Sequence, residues 1–127
     1  VTRPTFILGT FGHDQLVALS RRRPLGDVLL STRLGVVSRY GGLVRPRPQG
    51  FTILAALACA GALTKDDLIE ALWGEDPGGG PDNAGKVIDT VVFYLRQQIA
   101  PLGLRVSSHP THVFTLDPLP LLAEAAE

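Results

Sequence analysis

The stretch that most limits this chain's fold is Asn83–Ile99, NAGKVIDTVVFYLRQQI. It reads as one long helix ending near Ala100–Pro101, about 27 Å at ~1.5 Å per residue. A helix on the surface of a domain needs one apolar stripe. This one offers Val87, Ile88, Val91, Val92, Phe93, Tyr94, Leu95 and Ile99, which is more than one stripe holds. The surplus must meet a core, another protein or the groove of DNA.

The rest of the chain narrows the choice. Its 127 residues suffice for one domain with a substantial core, and 45% apolar with 19% charged residues is the balance of a folded protein. No apolar run is long enough to cross a bilayer. The start, VTRPTFILGTFGHDQL, lacks the apolar stretch of a secretion signal, and a single cysteine, Cys59, excludes an internal disulfide. A cytoplasmic setting without membrane contact is expected. The net charge is zero but unevenly spread: residues 1–47 hold eight arginines against two aspartates, and residues 48–127 are acidic by the same margin of six. Such asymmetry fits nucleic-acid contact and equally fits two halves of one fold that attract. A neutral total argues against strong non-specific DNA binding, which is driven by phosphate neutralisation.

Along the chain, residues 5–11 read as a short strand, and residues 13–19 suit a helix or a strand. Together they make an arm, an added strand or a dimer contact. The arginine triplet 21–23 reads as a solvated turn. Residues 27–45 read as a small antiparallel sheet with a hairpin turn at Gly41–Gly42. Pro48 suits the start of a helix whose stripe is Phe51, Leu54, Leu57 and Ala58 and whose end is Gly61. Cys59 is expected in the core. A second helix follows, with Thr64 and Asp67 as a capping box, Leu68, Ile69, Leu72 and Trp73 inward, and Gly74 at its end. The loop 75–85 lacks the lysine and serine or threonine of a phosphate-binding loop and has no preceding strand, so it reads as a tether, with Asp82 or Asn83 capping the next helix. Residues 104–116 read as a hairpin tipped at His109–His112.

The order strands, helix, helix, loop, long helix, hairpin is that of a winged helix-turn-helix. From about Asp27 to Pro118 the chain resembles the DNA-binding effector domain of OmpR/PhoB-type response regulators, the group to which the cell-cycle regulator CtrA belongs. LIEALWG (68–74) matches the second-helix signature, VIDTVVFYLRQQI (87–99) the third helix, and TLDP (115–118) the closing strand. The match covers about three quarters of the chain, and its strength lies in the order and spacing of motifs that are individually weak. The resemblance implies an α+β fold: an N-terminal antiparallel sheet, three helices and a C-terminal β-hairpin wing over residues 27–118. Residues 1–26 would be an extension and 119–127 a tail. It places Ile88, Val92, Leu95 and Ile99 in the core, matches Asp89 and Arg96 to the family's own aspartate and arginine, and turns Val87, Val91 and Tyr94 toward the major groove. The chain departs from the family at Gln97 and Gln98, where lysines are usual, at Tyr94, where a cation is common, and in the wing, which reads HPTH. Residues 1–26 are too short for a phosphoacceptor receiver domain.

Two roles follow. In the first, the protein is a transcription regulator gripping double-stranded DNA through Lys86, Val87, Thr90, Val91, Tyr94, Arg96, His109, Thr111 and His112. In the second, loss of cations and gain of Val, Phe and Tyr have turned the same face into a protein interface, for a homodimer, RNA polymerase or another regulator. A third reading seals the surplus residues, Phe93 above all, beneath the N-terminal extension. No nucleophile–base arrangement or metal-ligand set stands out, so neither catalysis nor a cofactor is expected.

Overall fold

The run from Val28 to Val37 lacks the in–out alternation of a half-solvated strand, and the computed structural model shows why. The structure describes residues 5–22, 26–109 and 113–118. Strand β1 (Phe6–Gly9) leads through helix α1 (His13–Arg21) to β2 (Val28–Ser31), which lies parallel to β1, with Phe6 opposite Val28 and Gly9 opposite Ser31. Then β3 (Val36–Arg39) and β4 (Gly42–Val44) extend the sheet antiparallel, giving the order β1-β2-β3-β4. One face, with Val28, Leu30 and Val37, joins the main core. The other, with Leu29 and Val36, is covered by Leu16 and Leu19 of α1. Both faces of β2 and β3 are therefore buried, and such strands read as continuous apolar runs.

Two expectations change here, and one open choice, helix or strand for residues 13–19, is resolved. The N-terminal sheet is mixed, because the first strand enters parallel, and parallel neighbours need a crossover, which α1 supplies. The described residues hold four α-helices, because residues 13–21 are helical. The hairpin turn between β3 and β4 sits one residue early, at Tyr40–Gly41, since Arg39 pairs with Gly42. Both turn residues have positive φ, 54° and 84°, as a two-residue turn matching the strand twist requires.

Helix α2 (Pro48–Ala60) starts at its proline and stops at Gly61. Its buried stripe is Gly50, Ile53, Leu54 and Leu57, while Phe51 and Ala58 are only half-buried flanks. Cys59 points from the opposite pole and is exposed, contrary to its expected core place. The helix is apolar almost all round, so pattern alone left its rotation ambiguous by about one residue's turn.

A short strand β5 (Ala62–Thr64) follows, then helix α3 (Lys65–Trp73). The capping box forms: the Asp67 N–H donates to Thr64 Oγ1 at 3.1 Å, and the Thr64 N–H donates to Asp67 Oδ2 at 3.0 Å. Helix α4 (Ala84–Ile99) begins after Asn83, which makes no side-chain cap. A 3-10 turn at Ala100–Leu102 leads into β6 (Leu104–Ser108), paired antiparallel with β7 (Val113–Pro118). Strand β5 lies along the other edge of β7, giving the order β5-β7-β6. Ile88, Val92, Leu95 and Ile99 are buried as expected and join Ile53, Leu54, Leu57, Leu68, Leu104, Val106, Phe114 and Leu116 in one core. No helix among the described residues is long and apolar enough to cross a membrane. The expected tail, 119–127, lies outside the described residues.

Candidate functional site

Helix periodicity divides α4 into a core stripe, two flanks and an outward ridge. At 100° per residue the ridge opposite Ile88, Val92, Leu95 and Ile99 is Lys86, Thr90, Phe93 and Gln97, with Tyr94 beside it. All five are exposed. Phe93 is 54% and Tyr94 41% accessible, so the surplus apolar surface is not sealed inside the chain. Helix α1 instead packs over the outer face of the N-terminal sheet. The two rings meet edge to face, with centroids 5.4 Å apart at 77°.

One flank, Val87, Val91 and Gln98, faces the start of α2. Between them lies a groove of about 270 Å³, walled on the α2 side by Arg47, Gln49 and Gly50. Lys86, Thr90 and Tyr94 border the same groove. The Arg47 guanidinium lies 5.0 Å over the Tyr94 ring, close enough for a cation–π contact. Neither helix start on this side is closed by a side-chain cap, and neither carries an acid in its first turn.

The other flank, Asp89 and Arg96, faces α3 and the hairpin. Lys65 Nζ, at the start of α3, lies 2.9 Å from Asp89 Oδ1. Arg96 is half-buried: its Nε donates to the Val106 carbonyl at 2.7 Å and its Nη2 to Ser108 Oγ at 3.3 Å. Arg96 is thus the bolt between α4 and the first hairpin strand. His109 Nε2 sits 3.0 Å from Thr115 Oγ1, whose hydroxyl donates to Asp117 Oδ2 at 2.7 Å. That hydroxyl has one proton to give, so His109 donates from Nε2.

The residues expected to contact DNA therefore fall into two groups. Lys86, Val87, Thr90, Val91 and Tyr94 share the ridge and groove, with Val87 and Val91 half-buried. Arg96 and His109 belong to the cleft between α4 and the hairpin. Thr111 and His112 lie outside the described residues. Sequence reasoning passed over Phe93, Gln97 and Arg47 as site residues. Helical phase alone could have placed the first two on the ridge. Arg47 reaches Tyr94 only through the packing of α2 on α4, and no local pattern signals that.

One arginine of the arginine-rich half is withdrawn from the surface. Arg39 is buried, donating from Nε to the Gly26 carbonyl at 2.7 Å and from Nη1 to the Leu102 and Gly103 carbonyls at 3.0 and 3.1 Å. Arg21 packs its stem against Gly41. No protein-family model matches the sequence, and no curated protein matches it.

Proposed function

We propose that this chain is a winged helix-turn-helix transcription regulator of the OmpR/PhoB type that reads double-stranded DNA with α4. The observation that carries this reading is the exposed ridge of α4, uncovered by the described segments and set between the α2 start and the β6–β7 hairpin. The ridge has the chemistry that base edges call for. Gln97 carries an amide that suits adenine, Thr90 carries a hydroxyl, and Phe93 suits the thymine methyl. Among the described residues lining the groove, Lys86 and Arg47 are the cations available for phosphate, while across α4 Lys65 is paired with Asp89 and Arg96 is held by the hairpin. With about two phosphates neutralised, log K should fall against log salt with a slope near −2. That is a small electrostatic contribution, in keeping with the neutral net charge.

The test is selection from random duplexes, then titration of the selected duplex at several salt concentrations. Lys86→Ala should weaken all sequences alike and flatten the salt slope by about one unit. Gln97→Ala should relax the sequence preference. Absence of binding to any duplex at low salt overturns the reading.

A second reading has its own observation, the exposed Phe93–Tyr94 ring pair, since aromatic side chains anchor protein interfaces. It expects the ridge to bind a second copy or polymerase. Phe93→Asp would then abolish self-association in sedimentation, or polymerase capture, with the unfolding midpoint unchanged. A strictly monomeric wild type that captures no polymerase removes it.

A further inference from the structure

We infer that the groove between the α2 start and α4 binds a small organic anion with an apolar body, such as an aromatic carboxylate or phosphate ester, and that this occupant competes with DNA. The second half of this inference rests on the DNA-reading proposal; the first half does not.

Size, lining and charge point the same way. An apolar cavity of roughly 150 Å³ accepts benzene. The groove's 270 Å³ holds a ring and leaves room for a head group. Val87, Val91 and Tyr94 supply an apolar bed. Arg47 and Lys86 supply two cations, and none of the described residues lining the groove is acidic. Ligand sites have this composition, mostly apolar with a few converging polar groups. The Tyr94 ring already holds the Arg47 fork in place, so less side-chain freedom is lost when an anion arrives.

The cleft on the other flank is the internal comparison. It is larger, about 360 Å³, and also holds cations. There Lys65 is paired with Asp89, and Arg96 is held by Val106 and Ser108, so the cleft's charges already have partners. In the groove, among the described residues, the Lys86 ammonium has no side-chain partner and the Arg47 guanidinium has the Tyr94 ring alone, so both can meet an incoming anion. The same two cations and the same Tyr94 would serve the DNA backbone, so a molecule seated there removes contacts that DNA needs.

The probe is phenyl phosphate, added to the uniformly 15N-labelled chain and followed by amide chemical shifts, with inorganic phosphate and phenol as controls. Saturable shifts are expected at Gly50, Val87 and Val91. Each control should bind at least about tenfold more weakly, because each forfeits one of the two contributions. Arg47→Ala and Lys86→Ala, both at exposed positions, should each weaken phenyl phosphate while leaving the spectrum folded. Inorganic phosphate binding as well as phenyl phosphate overturns the site, and so do shifts confined to the hairpin. Tight binding of a glutamate-rich helical peptide without phenyl phosphate binding also overturns it, in favour of a protein partner. Phenyl phosphate that saturates the groove while DNA affinity stays constant overturns the competition. Absence of DNA binding without any phenyl phosphate overturns the DNA proposal and the competition together, and the amide shifts still decide the site.

Discussion

Arg39 ends β3 with 8% of its surface accessible, and its partners are three backbone carbonyls from two distant places in the chain. Gly26 precedes β2, whereas Leu102 and Gly103 follow α4, so one guanidinium ties the N-terminal sheet to the turn that aims β6. Arg39→Ala strands all three acceptors. A buried carbonyl without a donor costs about 1–3 kcal/mol, giving an upper bound near 9 kcal/mol. Water entering the vacated space restores part of that, and removing a buried charge recovers some desolvation, so a loss of about 3 kcal/mol is expected. Arg39→Lys keeps the charge but lacks the planar fork and should lose roughly half as much. Urea unfolding with an unchanged slope measures both. Amide shifts at Leu102 and Gly103 should move in Arg39→Ala, and the salt slope of the proposed DNA binding should not, because this guanidinium is turned inward onto three carbonyls. A loss below about 1 kcal/mol, or a flattened salt slope, refutes the reasoning.

Other substitutions test other parts of the fold. Leu95→Ala removes a fully buried side chain from the centre of α4 and should lower stability by about 2–5 kcal/mol in the same urea assay. Gly50→Ala should raise it by roughly 0.5–1 kcal/mol, since the added methyl meets Leu95 and Pro46 at ordinary contact distances of 3.5 and 3.7 Å and the helix gains a better helix former. Gly80→Ala should cost about 1–3 kcal/mol, because φ is +88° there and a Cβ would lie 2.7 Å from the Trp73 ring. Thr64→Ala opens the capping box of α3 and should lower the thermal midpoint by an amount equivalent to ~1 kcal/mol.

The parts of this fold that were legible in advance are those fixed by neighbours within a few residues. The spacing of Ile88, Val92, Leu95 and Ile99 and the Thr64–Asp67 box are set locally, and both appear in the structure; the hairpin turn is local too, but falls at Tyr40–Gly41 and not at Gly41–Gly42. Strand β5 escaped notice because three residues carry no period; it exists by pairing with β7 some fifty positions later. The phase of α2 was misread because FTILAALACA is apolar on nearly every side, so the choice of Ile53 over Phe51 for burial is made by what packs against it. The candidate site divides the same way. Its ridge follows from helical phase, but the use of Arg96 by the hairpin and of Arg47 by Tyr94 depends on which elements meet, and charge counting could not separate them from Lys86.

Helix α1 has a practical consequence for anyone shortening this chain. A version beginning at Asp27, just before β2, would leave Leu29 and Val36 as an oily sheet face and β2 as a bare edge, both open to solvent. Such a fragment would be expected to clump through that face and edge. Insolubility of such a truncation would therefore report the loss of α1 and not a defect in α4 or the elements around it.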